Sequence, residues 1–471
     1  MTAFATAPVL SLTQIAQWSG GDLVVREVPA APLEREALLR AGVDGVTLDS
    51  RAAGPGMLFV PLPGSRTDGH DHLDDAFARG AAAAFCARER YAALEGREPG
   101  PLVVVDDVTA GLQRLARGHR AAWPGLLIGV TGSVGKTTTK DLVAAVLATA
   151  HPTLKTEGNL NNHWGVPLTL LRLRAEHRSA VVEIAMNHPG EIAALAAIAR
   201  PSAAVITSAG SAHLEYLGSL EAIAREKASL AHALDAHGVA FANADAPRLM
   251  AALAGLRCRL VTYGLSHHAE VHARRIEPLG EAGTRIEVEG FPALTFAIPG
   301  RHQASNALAA LAVARELRLD PGAAVAALAA CAPARGRMVV RRARGATLLV
   351  DCYNANPDST RAALETLAAW PGATRRIAVL GDMLELGPDA SRLHAETAAS
   401  AAGSEVWAIG RHADDLARGA RAARAEARVF ADLAALRAEV KAALGPGVVV
   451  LVKASRGAAL ERVLEGLEGE G

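Results

Sequence analysis

The chain has 471 residues with 49 basic and 49 acidic side chains, a formal charge of zero, so no bulk field favours nucleic acid or an anionic membrane. No apolar run approaches the roughly 20 residues a membrane helix needs, and the opening MTAFATAPVLSL lacks the basic start and apolar stretch of a secretory signal. The four cysteines Cys86, Cys258, Cys331 and Cys352 are scattered without C-x-x-C spacing, which argues against a disulfide framework or a zinc site and, with the rest, predicts a cytoplasmic protein.

At roughly 150 residues per domain the length predicts three domains, and short β-branched runs alternating with alanine-rich helical stretches predict α/β architecture with mostly parallel sheets. The first segment, 1–123, carries strand-like VTL (46–48), MLFV (57–60), AAAAFC (81–86) and LVVV (102–105), interrupted by turn-rich GSRTDGHDH, and ends at the breaker WPG. A second segment, 124–333, opens on strand LLIGV. The third, 334–471, follows the arginine-rich link PARGR. In the last two segments a strand repeatedly ends in polar residues before a helix: at Glu183, before His213, at DCYNANPDS (351–359), at GDMLELG (381–387) and at KASRG (453–457). Ligands of open parallel sheets sit at such carboxyl ends.

The stretch GVTGSVGKTTTK (129–140) lies between strand LLIGV and the apolar-faced helix that contains Leu142, Val143, Val146 and Leu147. Gly132 and Gly135 let backbone wrap a phosphate at a helix amino terminus. Lys136 is placed to reach β- and γ-phosphates, and Thr137 to offer its hydroxyl to Mg²⁺. The common phosphate loop has glycine where Val130 stands. Glu183 closes an apolar strand, where a carboxylate needs a metal or a partner; an arginine salt bridge is the alternative. His213 reads equally as a ligand or as a solvated loop histidine. Lys227 falls in the apolar stripe of SLEAIAREKASLAHAL, four residues after Ile223 and three before Leu230, with snorkelling to the surface as its alternative. Only six of the basic residues are lysine, so a surviving lysine marks a place where arginine cannot serve, or drift.

The variant T-G-S-x-G-K-T-T, without the first glycine, resembles the Mur ligases, ATP-dependent amide-forming enzymes of peptidoglycan precursor synthesis. The resemblance implies a small α/β UDP-binding domain (1–123), a central P-loop ATPase domain with a mostly parallel sheet (124–333) and a C-terminal Rossmann-like domain (334–471). It implies ATP contacts at Thr131, Gly132, Ser133, Val134, Gly135, Lys136, Thr137 and Thr138. Asn306, in FAIPGRHQASNALAALAVA, resembles the family's adenine-contacting asparagine, and Arg337 its linker arginine. Two Mg²⁺ ions are implied, one on Thr137 and Glu183, the other on His213 supported by Lys227 carrying a CO₂-derived carbamate.

Which substrate is joined follows from segments that differ among family members. TEGNLNNHWGVPLTLLRL, VEIAMNHPGEI, DCYNANPDS, VLGDMLELG and LVKASRG resemble the D-alanyl-D-alanine-adding branch, and no D-N-P-R motif of the diaminopimelate-adding branch is present. LDSRAAGPGMLFVPLPGSRTDGHDH resembles the UDP-binding front domain, with Ser50 and Arg51 near the diphosphate. Asn159, Asn161, Asn162, Asn356 and Lys453 are the other implied substrate residues, and Asn354 joins the nucleotide contacts. Pro61, Ala185, Met186 and Cys352 depart from the usual residues. The implied reaction is activation of the terminal carboxylate of a UDP-N-acetylmuramoyl-tripeptide by ATP, then capture by D-alanyl-D-alanine, in a monomer with small-molecule substrates alone. Another Mur or folylpolyglutamate-type ligase is the near alternative and an ATP-driven switch protein the distant one; helix capping is the alternative for YNANPDS.

Overall fold

The computed structural model describes residues 10–25, 42–64 and 67–467; the opening residues read above for a signal, and Ser65 and Arg66 of the turn-rich stretch, lie outside them. Compactness divides the chain into two units, one holding Met1–Leu127, Pro152–Ile184 and Ala194–Pro201, the other Ile128–His151, Ala185–Ala193 and Ser202–Gly471. No helix among the described residues is long and apolar enough to cross a membrane.

In the first unit, parallel strands Gly45–Thr47, Met57–Phe59, Ala83–Ala87 and Leu102–Val105 lie side by side, and Asp22–Val24 closes the edge antiparallel to Leu102–Val105. The strands fall where the β-branched runs put them, shifted by a residue or two: VTL begins at Gly45, and AAAAFC becomes Ala83–Ala87. The helix Val108–Ala122 holds on to later chain. Arg120, largely buried, donates to the carbonyls of Ala199, Arg200 and Trp123, His119 bonds the Leu173 carbonyl and the Trp123 indole donates to that of His177. A guanidinium on the last carbonyls of helix Glu191–Ala199 satisfies orphan acceptors at its negative end. The same unit contains the parallel pair Thr153–Lys155 and Ser179–Glu183.

The second unit has two sheets. In the first, Leu126–Thr131, Ala203–Ile206, Val239–Asn243, Arg259–Gly264 and Val271–Pro278 run parallel, and Thr284–Val288 and Leu294–Phe296 extend it antiparallel. Helix Arg301–Glu316 is buried from Ala304 to Ala314; alanine at so many positions lets it approach helix Lys136–Ala148 and the sheet closely. In the other sheet the order is Val339–Ala343, Ala346–Val350, Val448–Lys453, Arg375–Leu380, Glu405–Ile409, Ala427–Phe430, parallel except for the first strand. Leu348, Val350, Ile377, Val379, Val450 and Val452 join the core on one face, while Leu349, Ala378, Leu380, Val449 and Leu451 join that on the other. Strands covered on both sides must be apolar throughout, which is why they read as unbroken runs.

The architecture is mixed α/β with mostly parallel sheets, as composition and periodicity predict. Adjacent strands Ala346–Val350, Val448–Lys453 and Arg375–Leu380 end together, so YNANP, KASRG and GDMLELG converge as the strand-tip reading requires. Ser455 ties them, donating from Oγ to the Ala355 carbonyl and accepting from Leu384 N–H.

Candidate active site

Two of the expected residues meet inside the first unit. Glu183, at the end of its strand, is 2% exposed; its Oε1 accepts from Asn161 Nδ2 at 2.8 Å and its N–H donates to Thr156 Oγ1. Asn162 Oδ1 accepts from Trp164 and Gly165 N–H and starts the helix Gly165–Leu170; Asn159 contributes its carbonyl to Asn161 N–H. The paired asparagines thus divide their work: one supports the buried carboxylate and the other accepts from N–H groups where the helix begins. Ser50 and Arg51 form the turn after strand Gly45–Thr47, with Asp49 accepting from the Arg51 N–H and guanidinium. That exposed pairing holds the Asp49 carboxyl down at about 2.

In the second unit the phosphate loop is built as the sequence predicts. Leu126–Thr131 ends, Gly135 takes φ +88°, and Lys136–Ala148 begins with no side chain capping it, which leaves its first N–H groups and positive dipole end for an anion. Both glycines are sterically required. A Cβ on Gly132 would stand 1.9 Å from Thr207 Oγ1, and one on Gly135 2.4 Å from Asn306 Oδ1. The crest is pinned from beneath: Ser133 Oγ donates to the Gly210 carbonyl and accepts from Gly210 N–H, and Val134 N–H donates to Ser208 Oγ. Lys136 Nζ bonds the Gly132 carbonyl at 2.7 Å. Thr131 Oγ1 is buried without a hydrogen-bond partner among the described residues, and Thr138 is buried.

Arg337 arrives from the later segment and donates to Thr137 Oγ1 at 2.9 Å, its guanidinium stacked 4.2 Å from the Tyr353 ring. Asn306 is buried under the loop, accepting from Thr139 Oγ1 and donating to Gln303 Oε1. Gln303 in turn bonds His302, whose imidazole burial pushes down to about 4.

Lys227 lies on the buried face of helix Leu220–His232, 0% exposed, and its Nζ has no hydrogen-bond partner among the described residues. Snorkelling is excluded. Burial, and then the charge of Lys136, drive its ammonium far below the usual lysine range, against the pull of Glu226 and Glu191. Burial thus favours the uncharged amine, the nucleophilic form of the group. His213 sits at φ +63° with Nδ1 2.7 Å from Glu385 Oε2, an ion-pair distance off the line of a hydrogen bond. The proximity of His213 lowers the Glu385 carboxyl.

The remaining expected residues are engaged within the protein. Lys453, 2% exposed, pairs with Asp351 Oδ2 at 2.6 Å and donates to the Asn354 carbonyl, while Asn354 Oδ1 accepts from Ala355 N–H. Asn356 caps helix Pro357–Ala368 in a reciprocal box with Ser359, the capping alternative for YNANPDS. Sequence reasoning left Glu385 and Asp358 unassigned. Asp358 accepts from Ser211 N–H and Oγ at 2.7 and 2.8 Å; the only sequence trace of either is its place in a strand-tip loop. Among the described residues no three His, Cys, Asp or Glu side chains gather as a metal cluster, so any cation here would rely on mixed ligands such as a hydroxyl, a carboxylate and phosphate oxygens.

Family models fit the chain in three stretches: residues 42–120 match the Mur ligase family catalytic domain, 130–314 the Mur ligase middle domain and 336–456 the Mur ligase glutamate ligase domain. The UDP-N-acetylmuramoyl-tripeptide--D-alanyl-D-alanine ligase of Bacillus subtilis (strain 168) is 35% identical over 433 residues, 90% of this chain and 93% of that protein. This chain belongs to the Mur ligase family. Among solved Mur ligases, MurF from Acinetobacter baumannii superposes with a TM-score of 0.85 at 28% identity, over 97% of this chain and 98% of that one. MurF ligase from Thermotoga maritima in complex with ADP does so at 0.81 and 29% identity, over 91% and 98%.

Proposed function

We infer that the chain is an ATP-dependent ligase that joins D-alanyl-D-alanine to UDP-N-acetylmuramoyl-tripeptide in peptidoglycan precursor synthesis. The observation that carries this is 35% identity to a ligase of that name over 90% of the chain. The terminal carboxylate of the tripeptide attacks the γ-phosphorus of ATP, the bond to the β-phosphate oxygen breaks, and ADP leaves an acyl phosphate. The amine of D-alanyl-D-alanine then attacks the acyl carbon, loses its proton, and phosphate departs. We propose the segments 1–123 for the UDP-muramoyl substrate, 124–333 for ATP, and 334–471 for nucleotide and dipeptide, acting in the cytoplasm as a monomer without nucleic acid.

Phosphoryl transfer asks chiefly for positioning and charge neutralisation. The uncapped start of helix Lys136–Ala148 and its glycine-lined crest suit the β- and γ-phosphates, with Lys136 leaving its Gly132 carbonyl for them. Arg337, already on Thr137, is suited to the charge that develops during transfer. The adenine contact proposed for Asn306 would come from a side chain that also supports the loop, so nucleotide binding and loop order are coupled. Two Mg²⁺ ions, one on Thr137 and Glu183 and one on His213 with the Lys227 carbamate, would neutralise oxygens that otherwise repel the attacking carboxylate. The residues fit: Lys227 Nζ is buried without a hydrogen-bond partner among the described residues, and burial favours the uncharged amine, the form that adds CO₂. Ser50, Arg51, Asn159, Asn161 and Asn162 are proposed for the UDP-tripeptide, and Asn354, Asn356 and Lys453 for shaping the loop that meets nucleotide or dipeptide.

The test is the mass of the product formed from ATP, D-alanyl-D-alanine and a panel of UDP-N-acetylmuramoyl-tripeptides with diaminopimelate or lysine in third place. A product heavier by one dipeptide less water, with equal ADP and phosphate, is expected. ATP turnover indifferent to both partners, or ligation of a different amino donor only, would overturn the reading.

A further inference from the structure

A cavity of about 450 Å³ lies in the second unit. One wall comes from the loop that carries His213, through Gly210, Ser211 and Leu214, which bracket that histidine in sequence. Residues of helices Pro357–Ala368 and Ala390–Ala398 complete the lining. Its charged lining is balanced: Arg248, Arg361 and Arg392 face Asp358, Asp389 and Glu396. Arg361 is committed to Asp358 at 2.7 Å, whose other oxygen holds Ser211, so this pair marks the end next to the His213 loop. Arg392 and Arg248 keep half of their side-chain surface exposed while pairing with Glu396 and Glu221 respectively.

Charge selects the occupant. A nucleotide triphosphate or a UDP-linked peptide would bring several negative charges against three carboxylates in a lining of zero net charge. A zwitterion brings one charge of each sign and leaves the balance intact. Of the three substrates in the proposed reaction only the dipeptide is of that kind. Two residues in extended form span roughly 7 Å, well within the cavity, and the small side chains Gly210, Ala209 and Gly218 leave room for methyl groups.

We propose that this cavity binds the incoming zwitterionic dipeptide, with its amino end at Asp358 beside the His213 loop and its terminal carboxylate held by Arg392 and Arg248. The proposal rests on the ligase reading above and adds to it the residues that select the amino donor. The amino end is thereby turned toward the phosphate loop, to whose crest Gly210 is bonded, and the carboxylate is kept away from it.

The experiment compares D-alanyl-D-alanine with its carboxamide, D-alanyl-D-alaninamide, as amino donors for the wild-type protein and for Arg392→Ala, Arg392→Gln and Arg248→Ala. A charged hydrogen bond lost from the site should raise KM for the acid dipeptide about tenfold. KM for ATP and for the UDP-tripeptide should stay unchanged, and the carboxamide should be used equally by wild type and variants. Melting temperatures equal to wild type establish that the variants fold, and Gln serves where Ala does not. The proposal is overturned if KM for the acid dipeptide is unaltered in both arginine positions, or if acid and carboxamide suffer alike. Wild-type protein that fails to ligate D-alanyl-D-alanine at all would instead remove the ligase reading beneath it.

Discussion

Two lysines are buried to the same degree and differ in what surrounds them. Lys453 has the Asp351 carboxylate and the Asn354 carbonyl; Lys227 has no hydrogen-bond partner among the described residues and shares its surroundings with the charge of Lys136. A lone buried ammonium is so costly that the group gives up its proton instead. The linkage has a definite sign. Between the depressed folded value and the ordinary 10.5, the unfolded chain holds a proton that the folded chain lacks, so this residue's penalty is fully present at low pH and fades as pH rises toward 10.5. In bicarbonate-free buffer Lys227→Met should therefore melt above wild type at neutral pH, with the gap closing on the alkaline side. A methionine variant that melts lower at every pH would mean that the amine has a partner after all. The same variant should lose ligase activity. Lys227→Ala should recover part of it with added acetate or formate, since a small carboxylate can stand where the carbamate stood; Lys227→Arg should not recover with either.

At the scale of elements, the loop and the two helices around it behave as one part. Gly135 needs its positive φ and also the space that its missing Cβ leaves for Asn306 Oδ1. Gly135→Ala should cost roughly 1–3 kcal/mol of stability through strain and weaken ATP binding about tenfold or more, read by calorimetry. Shortening the obstructing side chain, in Gly135→Ala with Asn306→Ala, should return part of the stability and none of the affinity. Additive losses would separate Asn306 from the loop. This part was only half legible in the sequence. Strand, turn and helix follow each other from Leu126 to Ala148, and their signals are local: an apolar run, two glycines, a 3.6-residue stripe. Lys227 was found the same way, as a charge in the wrong place on a helical face. The Asn306 support was not legible, because Thr139 and Asn306 are 167 residues apart and a helix start looks alike whether its asparagine faces a base or a neighbouring hydroxyl. Asn356 was legible as a cap, since Asn-Pro-x-Ser is capping chemistry, while its substrate role is implied by the family resemblance alone. The affinity of helix Val108–Ala122 for carbonyls near residues 173, 177 and 199 left no sequence mark beyond a buried arginine.

Within the second unit, the polar contacts that join the ATP-binding segment to the later one include Arg342 with Glu281 and, at the phosphate loop and the His213 loop, Thr137 with Arg337, Ser211 with Asp358, and His213 with Glu385. None could be foreseen from either segment alone. Gly210 has no room for a side chain because Asp358 occupies it, at 2.1 Å from where a Cβ would be, so this approach is built into the backbone. Such contacts matter for an acyl phosphate, which water would hydrolyse before an amine arrived unless the segments stay together. Burial would raise the Asp358 carboxyl, but the bonds from Ser211 and Arg361 outweigh it and hold it below 3.8. The contact is therefore in force above that value and is lost only as pH falls through the lowered one. Asp358→Asn keeps the shape and removes the charge. Losing about 1.5 kcal/mol of charged hydrogen bonding shifts an open–closed equilibrium about tenfold toward open. We expect phosphate release to outrun amide formation in this variant, while wild type yields one phosphate per product. Adding Glu385→Gln should widen the gap, and hydrogen exchange at residues 207–217 and 351–361 should quicken in parallel. Unchanged stoichiometry with faster exchange would show that these contacts stiffen the fold without guarding the intermediate, and unchanged exchange would show that Asp358 is not what holds the segments together.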